Sequence, residues 1–182
     1  MNKFLLLFLI LFSFSNFSPK ENQFIARLGQ VSFFSYTSVE NIEAKNNQVV
    51  SILDTDKKEI AVSMIMRAFV FKKDLMYEHF NESYIESDIY PKASFEGKIK
   101  DFDTDLKGKQ TKIIHGSITI HGITKEVDIK TVIDNSDGNY IVSGSFDVEV
   151  KDFQIKIPPI LSSNIAKTIS IKFKFQYKPY EE

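Results

Sequence analysis

The sequence has 182 residues, a formal net charge of −1, 43% hydrophobic residues and 26% charged residues. This near-neutral, ordinary composition predicts one globular domain with a short appendage, and it gives no electrostatic reason to expect a nucleic-acid partner. The chain contains no cysteine, which excludes disulfides, thiolate metal sites and a catalytic thiol.

The first residues are typical of a targeting segment. Met1–Lys3 is a short basic start, Phe4–Phe12 is an unbroken apolar run, and Ser13–Ser15 offers small residues at a cleavage point. The run is shorter than the roughly 20 apolar residues that span a bilayer. We therefore expect a signal peptide over residues 1–18 and a mature domain over residues 19–182, periplasmic or secreted and without a stable membrane span. An uncleaved anchor is the alternative.

The mature chain opens with strand-like segments. Gln30–Val39 is predicted as a first strand with apolar side chains on both faces, and Gln48–Leu53 as a second. Asn46–Asn47 between them indicates a turn. Glu59–Phe71 alternates over a longer stretch, which places its even-numbered side chains from Ile60 to Val70 on one face.

The periodicity then changes from two to that of a helix. Lys72–Tyr84 places Leu75, Met76 and Phe80 on one side at helical spacing, and Asp74 is predicted to cap the start. We expect a short helix or a helical lid here.

Period-two alternation returns after Pro91. Lys92–Lys100 is predicted as a strand and Asp101–Gln110 as a polar loop. Lys112–Asp134 then forms two strands around a tight turn at His121–Gly122. The first of these strands turns Ile114, Gly116, Ile118 and Ile120 to one side, and the second does the same with Val127, Ile129, Thr131 and Ile133.

The last third continues the same pattern. Asn135–Gly138 is a strong turn signal, Tyr140–Val150 alternates, and Thr168–Tyr177 ends the domain. Between them Asp152–Ala166 contains a Pro-Pro pair, which excludes a central strand. About eight antiparallel strands and one short helix predict an all-β, closed eight-stranded barrel, either filled by side chains or enclosing one ligand. A two-sheet sandwich is the competing architecture.

Catalytic patterns find little support in the sequence. His79, His115 and His121 are the three histidines, and the last two lie about 20 Å apart along one strand. No HExxH or GxSxG spacing occurs. We expect no metal, no cofactor and no enzyme, and an enzyme that uses His79 or His115 with nearby carboxylates is the minority hypothesis.

Three segments resemble the YceI-like family. They match its Tyr-Pro step before an aromatic strand and its hairpin motif, and they follow one another in the family's order: Leu75–Glu82, Glu86–Phe95 and Gly116–Val127. The resemblance runs from about residue 30 to the C-terminus. It implies a lipocalin-like antiparallel barrel in a secreted or periplasmic protein, and some members hold a polyisoprenoid chain in an apolar tunnel.

The resemblance and the one-sided alternation together suggest binding or carriage of an isoprenoid or similar apolar lipid inside the barrel. Seven residues, mostly Met and Phe, are predicted to line the cavity: Met64, Met66, Phe80, Phe95, Ile118, Phe146 and Phe173. Met adapts its shape to an irregular guest. The alternatives are that these side chains fill the centre as solid core, and that the barrel is a structural or protein-interaction module without a ligand. A homodimer is left open.

Overall fold

The structure is a computed structural model that describes residues 22–37, 40–136, 138–157 and 165–181. The predicted signal peptide, 1–18, lies outside these ranges. Within them the chain forms one short α-helix, α1 (Asp74–His79), and nine β-strands: β1 (Gln23–Ser35), β2 (Ile42–Asp54), β3 (Glu59–Ile65), β4 (Val70–Phe71), β5 (Lys92–Ile99), β6 (Gly108–Ile120), β7 (Ile123–Ser136), β8 (Asn139–Glu149) and β9 (Thr168–Pro179).

Eight of the strands close into a barrel. Their order around it is β1-β9-β8-β7-β6-β5-β3-β2, and β2 pairs again with β1. Every pairing is antiparallel, and the two-residue β4 adds to the edge of β2. Closure removes the exposed strand edges that invite aggregation. The predicted eight-stranded barrel with one short helix is confirmed.

The hairpin of β6 and β7 has the turn that the sequence predicts. Ile120 pairs directly with Ile123, so His121 and Gly122 form a two-residue loop. Their φ angles are 52° and 73°, which is the pair of positive values that a type I′ turn requires. The inward parity is also as predicted, since Ile114 and Ile129 are buried.

The predicted turn at Asn46–Asn47 is wrong, because both residues lie inside β2. The pairing of Gly29 with Val49 and of Val31 with Asn46 leaves one extra residue on β2, which is a β-bulge. The buried Asn46 amide donates to the Ile65 carbonyl at 2.9 Å, and its oxygen accepts from the Gln48 N–H at 2.8 Å. Asn is common both in turns and at bulges, because its side chain can form hydrogen bonds with backbone groups at either place. The residue type alone therefore did not distinguish the two.

The long predicted strand Glu59–Phe71 is interrupted. A 3₁₀ turn at Met66–Ala68 separates β3 from β4, and it reverses the inward parity. Phe69 is therefore buried, whereas Val70 is exposed, contrary to the prediction that Ala68 and Val70 share the inner face with Met66.

Several boundaries also differ from the predictions: the second strand covers Ile42–Asp54 rather than Gln48–Leu53, and β6 starts at Gly108, inside the predicted loop Asp101–Gln110. The first strand covers Gln23–Ser35 rather than Gln30–Val39, and residues 38–39 lie outside the described ranges. Lys73 precedes the first turn of α1, and Asp74 is its first residue rather than its cap. The helix continues as a single π turn at Phe80–Tyr84.

The barrel interior is solid at one end. The end that contains the start of β1 and the end of β9 is filled by side chains that are 1% exposed or less: Leu53, Phe102, Ile133, Val142 and Tyr177. Phe102 comes from the predicted polar loop, and its ring packs 6.0 Å from that of Tyr140. We call this region the closed end.

Candidate ligand-binding site

The other half of the barrel encloses a cavity of about 450 Å³. Side chains from all nine strands line it, and α1, the π turn and a 3₁₀ turn at Val150–Phe153 lie over it. The cavity opens where Glu40, Lys73 and Leu75 lie. Leu75 is 60% exposed, and the side chains of Glu40 and Lys73 are 46% and 59% exposed, so this end is the mouth.

All seven residues predicted from the sequence line this cavity. Met66, Phe95 and Ile118 are buried, and Met64, Phe80, Phe146 and Phe173 are half-buried. The Met and Phe side chains therefore surround a space in this half of the barrel and do not fill it. Their contact with a lipid stays a prediction.

Sequence reasoning missed an aromatic cluster beside the mouth. The ring centroids of Phe33, Phe69 and Phe71 lie 5.5, 5.7 and 5.0 Å from that of Phe80. All four rings line the cavity. Val31 and Phe33 share one face of the first strand, and this pattern could have identified Phe33 as an inward residue. The change of parity after Met66 prevented the same inference for Phe69 and Phe71.

The polar side chains of the lining concentrate at the mouth. The Lys73 ammonium contacts the Glu40 carboxylate at 2.5 Å. Lys73 precedes α1, and His79 is the last residue of that helix and also lines the cavity. Deeper in the cavity the wall is mainly aliphatic and aromatic. Such a wall binds by removing apolar surface from water, whereas the mouth is suited to a polar group that stays hydrated.

A family model for the YceI-like domain matches residues 23–177, which is the whole barrel. The chain belongs to the YceI-like family. The family predicted from the three sequence segments is thus confirmed, and the match includes every strand that forms the cavity wall.

Solved structures share this YceI-like fold at low sequence identity. The polyisoprenoid binding domain from Saccharophagus degradans has 12% identity and a TM-score of 0.75, and the alignment covers 87% of this chain and 99% of that one. Burkholderia cenocepacia BcnA has 15% identity and a TM-score of 0.69, and the alignment covers 82% of this chain and 96% of that one. The Campylobacter jejuni YCEI protein has 15% identity and a TM-score of 0.64, and the alignment covers 81% of this chain and 90% of that one. The curated protein sequences that were compared include no significant match.

One histidine of this YceI-like barrel joins the two segments that cover the cavity. The His121 Nδ1 atom lies 3.0 Å from the Phe153 carbonyl oxygen, and Nε2 lies 2.8 Å from a Glu86 carboxylate oxygen, both within hydrogen-bond distance. The Tyr90 ring packs edge-on at 4.4 Å, and the His121 side chain is only 9% exposed. We call this arrangement the His121 clasp; the turn histidine predicted from the sequence has a structural role.

The other two histidines are separate from the clasp. The exposed His115 lies on the outer face of the barrel, with Nδ1 at 2.7 Å from Asp128, and His79 lies at the mouth. Among the residues that the structure describes, no group of three or more His, Cys, Asp or Glu side chains is placed to hold a metal ion. Nor does any helix in the described ranges have the length and apolar character to cross a membrane.

Proposed function

We propose that this YceI-like protein binds the apolar tail of an isoprenoid or similar lipid inside the barrel, and that it sequesters or carries the lipid outside the cytoplasm. The observation that carries the proposal is the apolar cavity of about 450 Å³, open at one end and lined by Met, Phe and Ile side chains. A polyisoprenoid-binding domain from Saccharophagus degradans with the same fold supports it.

The size of the cavity suits a single tail. An apolar cavity of about 150 Å³ takes one benzene ring, so a cavity of about 450 Å³ holds on the order of 18 carbon atoms. Removing that many CH₂-sized groups from water contributes about 14 kcal/mol. Association itself costs at least about 4 kcal/mol. The tail therefore needs no polar anchor to bind.

The mouth places the headgroup in water. Glu40 and Lys73 form an ion pair there and are half-exposed, so the local charge is balanced. A headgroup at this position keeps its hydration, and the cavity below it provides the affinity.

A binding role without catalysis agrees with the positions of two of the three histidines. The His115–Asp128 pair lies on the outer face, and the nitrogens of His121 are both engaged in the clasp. We therefore propose storage or transfer of the ligand rather than its conversion.

Organic extraction of the purified protein, followed by mass spectrometry, tests the proposal. Ala93 is buried and lines the cavity, so we expect the Ala93→Phe variant to take up part of the space and to retain less lipid, or lipid with a shorter tail, than wild type. Ala61 is exposed on the neighbouring strand β3, so Ala61→Phe is the matched control and should retain wild-type lipid. Repeated extraction of wild-type protein without any lipid, after exposure to cell lipids, would contradict the proposal and favour a barrel without a ligand.

The location outside the cytoplasm has its own test. We expect the leader at residues 1–18 to be removed during export, because Phe4–Phe12 is too short to act comfortably as a membrane anchor. The intact mass of the protein recovered from the periplasm or medium should correspond to a mature chain that starts near residue 19. Recovery of the full-length mass only from the membrane fraction would instead support an anchor.

A further inference from the structure

The cavity stops partway along the barrel, although inward-facing residues continue to the closed end. Phe175 lines the cavity, whereas Tyr177, the next inward residue of β9, does not. We propose that the layer at Phe175 and Phe95 is a floor that limits the length of the bound tail, so that the protein selects a single tail of on the order of 18 carbon atoms. This inference rests on the proposed function, since it assigns the chain length that the same cavity accepts.

Two glycines leave room for the rings of Phe95 and Phe175 against the barrel wall. A Cβ atom at Gly97 would lie 2.7 Å from Cζ of Phe95, and one at Gly29 would lie 2.6 Å from Cδ1 of Phe175. Each ring thus occupies the space that a side chain on the neighbouring position would need. Both rings therefore pack closely against the barrel wall where a glycine leaves room, and both line the cavity.

The closed end supports the floor from below. The Tyr177 hydroxyl donates to Ser51 Oγ at 2.5 Å, and Ser51 Oγ donates to the Ala61 carbonyl at 2.9 Å. The ring of Phe24 contacts that of Tyr140 edge-on at 4.8 Å. Tightly packed interiors of this kind do not open for a methylene chain without displacing side chains.

The floor predicts a limit in the dependence of affinity on tail length. Each CH₂ group that enters the cavity should increase affinity about fourfold. Once the tail reaches the floor, further carbons stay at the mouth in water and add little. A protein with an open tunnel would show no such limit.

The experiment measures the affinity of the delipidated mature protein for straight-chain primary alcohols of about 10 to about 26 carbons, by displacement of an apolar fluorescent dye. For wild type we expect affinity to rise with length and to level off near 18 carbons. In Phe175→Ala the cavity extends by the space of one ring, so the plateau should move to tails longer by about six carbons. Phe175→Leu should move it in the same direction by less, and it is the variant to use if Phe175→Ala does not fold.

Phe102→Ala is the matched control, because it removes the same ring from the closed end without touching the cavity. Its plateau should equal that of wild type. Affinity that rises through the longest alcohol in wild type would overturn the length limit but leave the proposed function standing. An equal shift in Phe102→Ala and the Phe175 variants would also overturn it. Failure of every alcohol to bind would overturn the proposed function and the length limit together.

Discussion

Tyr177 shows how a single buried hydroxyl links this barrel to pH. Burial raises the pKa of Tyr177 above its ordinary value of 10.0, although the hydrogen bond with Ser51 acts in the opposite direction. Burial also raises the pKa of Tyr84 and of Tyr140. In the unfolded chain these hydroxyls ionise near pH 10, whereas in the folded chain they ionise at higher pH.

We expect the free energy of unfolding to fall as the pH rises above about 10, because the unfolded state then binds fewer protons than the folded state. Below that pH the contribution of the raised pKa is fully present. Urea unfolding at a series of pH values from about 8 upward measures this dependence. Tyr177→Phe should be less stable near pH 8 by about 1 kcal/mol, because it loses the bond with Ser51, yet it should show a shallower alkaline decrease. Equal slopes in the two proteins would contradict the role of Tyr177.

Gly122 is the residue whose replacement should be least tolerated in the hairpin turn. Its φ is 73°, and a Cβ atom there would lie 2.6 Å from the Tyr90 ring. We expect Gly122→Ala to destabilise the protein by about 1–3 kcal/mol, from backbone strain and displacement of Tyr90. Gly138 has a similar φ of 76° with nothing within 4 Å, so Gly138→Ala isolates the backbone part and should cost less. Urea midpoints of the two variants provide the comparison.

At the scale of elements, the His121 clasp is the feature that joins separate parts of the chain. Glu86 and Tyr90 follow the π turn, and Phe153 ends a 3₁₀ turn far away in sequence. Ile85 and Phe153 line the cavity. The clasp therefore holds two segments of the cover in place over the ligand site.

We expect His121→Ala to lower stability by about 2–4 kcal/mol, since it removes one hydrogen bond to a carboxylate and leaves the buried Phe153 carbonyl without this donor. Amide hydrogen exchange should rise in residues 80–90 and 150–157 before the barrel strands exchange. His115→Ala is the control, because His115 is exposed on the outer wall and its loss should leave both segments protected. Uniform faster exchange over all strands in His121→Ala would indicate a general loss of stability rather than release of the cover.

At the scale of the whole molecule, the barrel combines a solid half with a hollow half. The packed side chains of the solid half offset the dispersion contacts that the lining of a cavity lacks. Phe102, 1% exposed, fills the closed end from a loop between β5 and β6.

We expect Phe102→Ala to destabilise the protein by about 3–5 kcal/mol, as is usual for loss of a buried Phe ring. Leu106→Ala in the same loop should cost far less, because Leu106 is 46% exposed. Thermal or urea unfolding measures both. A Phe102→Ala variant as stable as wild type would show that the closed end is not the stabilising half.

The alternation of the sequence was sufficient to predict most strands and their inward faces, because a strand with one apolar face must turn that face inward wherever it is placed. It left the barrel and the two-sheet sandwich open, and the pairing of β1 with β2 decides for the barrel. The alternation placed Ile118, Phe146 and Phe173 on the inner face, and the structure places them on the cavity wall. Local patterns led to a wrong prediction where a side chain forms a hydrogen bond with the backbone of another strand. Asn46 looks like a turn residue, but it bonds to Ile65 at a bulge.

Only the tertiary structure decided which inward side chains meet across the barrel and which surround a space. Phe175 and Tyr177 lie two residues apart on the same face of β9, yet one lines the cavity and the other fills the closed end. The difference comes from residues distant in sequence, because Phe102 from a loop and Ser51 from β2 complete the packing at the closed end, whereas the described residues around Phe175 leave a cavity. Period-two alternation records the face on which a side chain lies, but it carries no information on what lies opposite.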